Sequence, residues 1–258
     1  MLNISNQRLS GPQRIIVQDV YNAAVGVYNV SDQTWYNFNL FTAWRNPYYL
    51  VFRDYAAYSS PGLLTDLLAS YNFNGSSVSS TGMYNGSATA MTYPVGSGKI
   101  DKAARFNGTT SQILVGNIPF NNNCSLAFWF RPDATGGATQ QLVGTTGTTG
   151  GLYFSKATSQ IMMNLPTITG FLPGVTFGAY HCVVVSVGVS TYKIWQDGVL
   201  VKSGSQTITP VSFTQFGITN GNYPYKGDLD ILNFWDKELT PTEAADFYNA
   251  GTGIEYPF

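Results

Sequence analysis

Charge is what this chain has least of. Only 10% of its 258 residues are Asp, Glu, Lys or Arg, and the formal net charge is −1. A nucleic-acid partner would call for a basic surface to neutralise phosphates, and the sequence carries no such footprint. No run of like charge suits an anionic membrane surface. No apolar stretch reaches the length of a membrane span, so membrane insertion is not expected. Histidine occurs once, as His181, and cysteine twice, as Cys124 and Cys182. A structural zinc site wants four N or S ligands, which this inventory does not suggest, and no metal site is expected. The two cysteines fall in separate predicted strands and leave two readings. They form a disulfide clamping those strands, or they are reduced, buried thiols acting as small apolar residues. Synthesis in a cytoplasm favours the thiols. The first residues, Met1-Leu2-Asn3-Ile4-Ser5-Asn6-Gln7-Arg8, lack an apolar core of signal-peptide length. If Met1 is the natural start, the chain is made in a cytoplasm without the usual secretory signal; a chain trimmed of its signal would read the same.

In place of charge the sequence has aromatics (15%), 27 glycines, and many Ser, Thr and Asn. This is a composition for strands and tight turns, with polarity supplied by hydroxyl and amide groups. Residues 1–63 are expected to form a small β-rich domain. Four strand-like runs lie in Arg14–Val20, Ala24–Val30, Thr34–Phe41 and Tyr48–Tyr55. So few residues make a thin core, and the aromatics exceed its needs. Trp35, Tyr36, Phe38, Trp44, Tyr48 and Tyr49 are therefore candidates for an interface, either against the following domain or in a homo-oligomer.

Ser59-Ser60-Pro61-Gly62 marks a boundary, and residues 64–258 are expected to form a second domain. Strands are predicted around Leu67–Phe73, Gln112–Val115, Cys124–Arg131, Gly151–Phe154, Gln160–Asn164, Tyr180–Val187 and Phe213–Ile218. Thr191–Val201 reads as a hairpin turning at Asp197-Gly198. Gly136–Gly151, rich in Gly, Thr and Gln, reads as a loop or a hairpin edge. The last unit is the most legible. Lys226–Asp236 mixes alternation with apolar runs, as a strand with one buried face does. Thr240 is suited to cap a helix, Pro241 to open it, and Glu243 to reach back to the cap. Gly251 is placed to end it in a left-handed conformation. The expected fold is all-β: a two-sheet antiparallel jelly-roll sandwich with one short C-terminal helix, preceded by the small β-rich domain.

Six segments in order resemble the laminin-G-like, or concanavalin A-like, jelly-roll domains, which include the pentraxins. They are Leu68–Gly75, Lys102–Gly108, Ser125–Pro132, Tyr180–Val184, Ile194–Gly198 and Gly227–Glu243. The resemblance spans about residues 64–254 and leaves 1–63 unassigned. It implies a sandwich that is often glycan-binding, sometimes through calcium, and often adhesive or structural. The pentraxin-type calcium site uses an acidic cluster before the last strand. Here that stretch is Ile218–Tyr225, without a carboxylate, so neither calcium nor another cofactor is expected. The family's disulfide is not in register either, because Cys124 stands at the start of its strand.

Related folds include glycosidases, which need two carboxyl groups in different protonation states. Asp228 and Asp230 face one side of an extended strand, but nothing in the sequence marks either as a proton donor, and they read as structural. His181 reads as a packed core residue with no evident Ser or Asp partner. A sugar site needs exposed aromatics and amide or hydroxyl groups. The loop residues Tyr84, Asn85, Tyr93, Asn220, Asn222, Tyr223 and Tyr225 supply that chemistry. A lectin-like sandwich made without an export signal suggests a non-enzymatic virion protein of a bacteriophage-type virus. It would be a capsid spike, decoration or tail-associated protein, partnered by other virion proteins and attaching to cell-surface glycan. A secreted carbohydrate-binding module is the alternative, and a glycoside hydrolase the second.

Overall fold

Along Cys124–Pro132 the large apolar residues Leu126, Phe128 and Phe130 alternate with Ser125, Ala127, Trp129 and Arg131. That alternation sets the frame of the sandwich in a computed structural model of the chain. The described residues are 14–18, 24–29, 34–37, 51–53, 60–145, 150–165, 168–172, 174–218 and 222–258. The chain divides into two units, Met1–Ser59 and Ser60–Pro257.

In the first unit, β1 (Arg14–Gln18), β2 (Ala24–Asn29), β3 (Thr34–Asn37) and β4 (Val51–Arg53) form an antiparallel sheet in the order β3-β2-β1-β4. Of the expected interface residues, Trp35 and Tyr36 lie on β3, opposite Tyr28 and Val27 of β2. Phe38, Trp44, Tyr48 and Tyr49 lie outside the described residues.

The second unit opens with α1 (Pro61–Leu64). There follow β5 (Leu67–Tyr71), β6 (Ser87–Thr89), β7 (Ala104–Asn107), β8 (Gln112–Phe120), β9 (Cys124–Pro132), β10 (Thr139–Gly144), β11 (Gly151–Ser155), β12 (Gln160–Leu165) and β13 (Ile168–Leu172). The chain continues through β14 (His181–Val187), β15 (Thr191–Gln196), β16 (Val199–Ser205), β17 (Val211–Phe216) and β18 (Lys226–Trp235) to α2 (Pro241–Tyr248). One sheet runs β13-β12-β11-β10-β17-β8-β6. The other runs β16-β15-β14-β9-β18-β5, with β7 also paired to β18. This is the antiparallel jelly-roll sandwich expected from the sequence.

The core between the sheets is aromatic. Phe130 of β9 meets Phe154 of β11, and Phe234 of β18 meets both Phe213 and Phe216 of β17, with ring centroids 5.7–6.4 Å apart. All five rings are buried, each contributing about 1.5–3 kcal/mol of transfer free energy. The outer face of the second sheet is buried too. Trp129 stacks on Tyr248 of α2 at 5.6 Å, Trp235 packs edge-on against Phe247, and the Trp235 indole N–H donates to the Leu63 carbonyl. Helices α1 and α2 therefore cap the outer face, which explains why β9, β14 and β18 read as nearly continuous apolar runs.

Strand β18 keeps both faces in phase by a bulge. Between Asp230 and Asn233 the register to β9 slips by one residue, and Ile231 takes φ +47°, a conformation in which a β-branched residue is strained. The freed Ile231 N–H donates to Asp230 Oδ1 at 2.9 Å. Leu229, Leu232 and Phe234 thereby all reach the core.

Three local expectations need correction. Within Gly136–Gly151, Thr139–Gly144 is neither loop nor edge: it forms β10, between β11 and β17. Its glutamines are buried and tied to neighbours, Gln141 donating to the Tyr153 hydroxyl and accepting from Gln215, each at 3.4 Å. Helix α2 has the expected capping box between Thr240 and Glu243, but it ends at Asn249 (φ +46°), two residues before Gly251. An Asn tolerates the left-handed cap because its short polar side chain bonds locally, here to the Gly253 carbonyl at 2.9 Å. Strand β13 was not anticipated at all. The two cysteines are free and buried. They sit on adjacent strands out of register, Cys124 opposite Val187 and Cys182 opposite Trp129.

Candidate functional site

Charge is scarce in this chain, yet three charged residues stand side by side on three paired strands. Asp228 of β18 lies opposite Arg105 of β7 on one side and Arg131 of β9 on the other. Each arginine alternates with core phenylalanines, so all three charges point to the outer face. Arg105 donates from Nε to Asp228 Oδ1 at 2.8 Å and from Nη2 to Oδ2 at 3.3 Å. Arg131 donates to Oδ2 from Nε at 2.9 Å and from Nη2 at 2.6 Å. Arg131 is further held by the Ser97 carbonyl at 2.9 Å and lies over the Tyr180 ring, 4.9 Å from its centroid. The Asp228 carboxylate is 5% exposed, while the guanidiniums of Arg105 and Arg131 retain 45% and 27% exposure. The carboxylate holds the Arg105 guanidinium above its ordinary pKa, chiefly through their hydrogen bonds.

This row floors one side of a cleft of about 710 Å³, lined also by Thr92, Asn107, Asp133, Gly178 and Lys226. Asp133 accepts from the Thr135 hydroxyl and backbone N–H at 2.6 and 2.7 Å, which lowers its pKa. Lys226 donates to the same Thr135 hydroxyl. The cleft thus presents guanidinium, ammonium and hydroxyl groups. Of its two carboxylates, Asp228 lies between the arginines and Asp133 has the lowered pKa.

Asp230, two residues along β18, is fully buried. Its Oδ2 accepts from the Lys99 and Ile100 N–H groups at 2.7 and 3.2 Å, pinning the 97–102 loop to the sheet. Burial pushes its pKa up to about 8, against the pull of its three N–H donors. A carboxyl closed off in this way cannot reach a substrate. His181 does have a carboxylate partner, which sequence distance concealed. Its Nδ1 lies 2.8 Å from Asp197 Oδ2, and its Nε2 accepts from the Thr176 N–H at 3.0 Å. Because the second nitrogen is already taken by a backbone donor, the ring fastens β14 to the β15–β16 turn.

The sequence-predicted sugar residues do not converge on the cleft. Tyr84 and Tyr93 are half-buried and pack against the core. Asn85 fills its own turn, accepting from Ser79 N–H and donating to the Gly82 carbonyl. Asn222 and Tyr223 are exposed, the latter edge-on to Tyr153 at 6.0 Å. Asn220 lies outside the described residues. Tyr225 is overturned as an exposed ring: it is fully buried against Phe106, and its hydroxyl donates to the Asp228 carbonyl at 3.1 Å. The sequence reading passed over Arg105, Arg131 and Lys226. Their signal was charge of opposite sign on the outward phase of strands in a charge-poor chain. Among the described residues no helix is long and apolar enough to cross a membrane, and no cluster of three or more His, Cys, Asp or Glu side chains could hold a metal.

A sequence model of the concanavalin A-like lectin/glucanases superfamily matches residues 107–245, more than half of the chain. No curated protein sequence matches it. Among solved structures, domain 4 of AbnA, a GH43 extracellular arabinanase from Geobacillus stearothermophilus, in complex with arabinotriose, is similar. The TM-score is 0.57 and the identity 24%, over 70% of this chain and 97% of that one. The botulinum neurotoxin serotype G binding domain is similar at TM-score 0.55 and 15% identity, over 72% of this chain and 51% of that one. A Trypanosoma rangeli sialidase mutant is similar at 0.57 and 12%, over 74% and 34%. This chain therefore spans about half the length of that toxin domain and a third of the sialidase. These likenesses establish a shared fold.

Proposed function

The chain belongs to the concanavalin A-like lectin/glucanases superfamily, and from that premise we propose that its sandwich recognises carbohydrate without turning it over. The observation that carries this reading is the open cleft of about 710 Å³ walled by Thr92, Arg105, Arg131 and Lys226. Hydroxyl-rich ligands are held by such donors. Glycoside hydrolysis needs one carboxyl kept protonated beside a second, whereas Asp133 has a lowered pKa and Asp228 is bonded to two arginines. The arabinotriose held by the arabinanase domain agrees with a saccharide ligand. A glycan array probed with the full chain, together with reducing-sugar release from the glycans that bind, tests the proposal. Binding without release is expected; release that is lost in Asp228→Asn would overturn it.

The carrier we propose is a virion of bacteriophage type, in which the protein serves as a spike, decoration or tail-associated component and assembles as a homo-oligomer with other virion proteins. The support is the order of units, a small four-stranded sheet ahead of a lectin-like sandwich. Mass spectrometry of purified particles checks it, and finding the protein only free in the medium would favour a secreted module instead.

A further inference from the structure

We propose that the cleft selects a carbohydrate bearing a carboxylate, such as a uronic acid, over neutral sugars; the inference rests on the saccharide reading above and names its ligand class. The lining carries three cations, Arg105, Arg131 and Lys226, against two anions, Asp133 and Asp228, so one positive charge is left over. Its placement matters more than its count. Asp228 lies beneath the guanidiniums at 5% exposure, while Arg105 and Arg131 face solvent at 45% and 27%. A ligand entering the cleft meets the cations first. Each guanidinium turns its Nε and Nη2 to Asp228. Their Nη1 groups are in none of these bonds, and partly exposed guanidinium donors suit a planar carboxylate. Asp228 serves as the template. It draws two like charges onto adjacent strands and fixes their planes before any ligand arrives, which lowers the ordering cost of binding. Thr92, exposed on the lining, supplies a neutral partner for ring hydroxyls, while the Asn107 amide is held in its own turn by Thr109, Thr110 and Ser111. Gly178, also in the lining, leaves open space: a Cβ built there meets nothing within 4 Å.

The test is isothermal titration of the full chain with trigalacturonate, its methyl ester and arabinotriose. The ester keeps the ring hydroxyls and removes the charge, adding one methyl group per carboxyl. Trigalacturonate is expected to bind at least about tenfold more tightly than its ester, the factor a charge-assisted hydrogen bond supplies. That preference should shrink as salt rises. Arg105→Gln should abolish the preference, weakening trigalacturonate far more than the ester. Gly178→Asn is a second variant, since Asn accepts the left-handed φ of +76° at this position; it should weaken both ligands by blocking the cleft. Circular dichroism confirms that each variant is folded. Equal binding of acid and ester, with Gly178→Asn impairing both, overturns the charge selection and leaves the saccharide reading standing. No binding of any of the three sugars overturns the selection at this cleft, and a glycan array empty of every sugar would then overturn the saccharide reading as well. Acid preference that survives in both variants places the selection elsewhere and overturns the assignment to this cleft.

Discussion

Replacing Asp228 with alanine removes one buried carboxylate and leaves two arginines facing each other across it. Four N–H···O contacts of 2.6–3.3 Å are lost at once. Breaking a fully buried ion pair from one side costs about 3–5 kcal/mol. Here the arginines are not fully buried, at 45% and 27% side-chain exposure. Water can resolvate Arg105 almost at once and Arg131 in part, so the screened cost is about 2–3 kcal/mol. For a unit of this size that corresponds to a fall in Tm of roughly 5–10 °C. The geometry also ranks the two pairs. Arg131 is the less exposed and is held against Tyr180 and the Ser97 carbonyl. It cannot swing out to water as freely as Arg105. Double-mutant cycles by urea denaturation, pairing Asp228→Ala with Arg105→Ala and separately with Arg131→Ala, should give the larger coupling to Arg131. A loss below about 0.5 kcal/mol for Asp228→Ala, the level of an ordinary surface change, would refute the view that this carboxylate holds the row together. A larger coupling to Arg105 would refute the ranking.

Asp230 should make stability fall as pH rises: its pKa in the fold is raised from 3.8 to about 8, so the contribution is complete below pH 4 and is lost as pH climbs through 8. Urea midpoints at pH 5, 7 and 9 check this, and Asp230→Asn should flatten the slope while costing about 1–3 kcal/mol at pH 7, because an amide cannot accept from all three N–H groups. At Ile231 the usual order of substitutions should invert: glycine relieves the φ of +47° and alanine does not, so Ile231→Gly should be more stable than Ile231→Ala by about 1 kcal/mol. Both should lie well below the parent, since the Ile231 side chain is fully buried; thermal unfolding of the two variants side by side decides it. Thr240→Ala should cost about 1 kcal/mol by opening the capping box of α2, read as a drop in unfolding midpoint.

What the sequence made legible was whatever one strand records by itself. The alternation of Leu126, Phe128 and Phe130 and the Asp197-Gly198 turn are local patterns, and both stand where they were expected. So is the Thr240–Glu243 box. Strand β10 was hidden because two of its residues are buried glutamines bonded to neighbours, Gln140 to Gly137 and Lys226 and Gln141 to Tyr153 and Gln215, which a hydrophobicity pattern cannot distinguish from a loop. Tyr225 misled for the converse reason. Its neighbours Asn222 and Pro224 look like a turn, yet Gly217 and Gly108 take its backbone bonds and Phe106 takes its ring. The cleft was least legible of all. Its ion pairs join residues 97 and 123 positions apart, and no window along the chain contains both partners.

The position of those pairs follows from how the second sheet is covered. A sheet packed on its partner through one face must dispose of the other, and here the chain closes most of it. Trp235 lies under Leu63 and Phe247, Trp129 under Tyr248, and Asp230 under the 97–102 loop. The cover gives out along β18 between Asp230 and Lys226, and the character of the outward residues changes at the same place. Beneath the cover they are indole rings and a carboxyl with a raised pKa. Beyond it they are an aspartate between two arginines, and then a lysine. An apolar side chain would suit the covered end, where no water competes, and would leave the open end with an exposed apolar patch. The ion row tolerates the boundary because its buried member is neutralised from both sides while its outer members keep their hydration. The same property underlies the proposed binding: a charge that is fixed in place, half-hydrated and bordered by an open cleft would exchange water for a ligand without rearranging the strands that hold it.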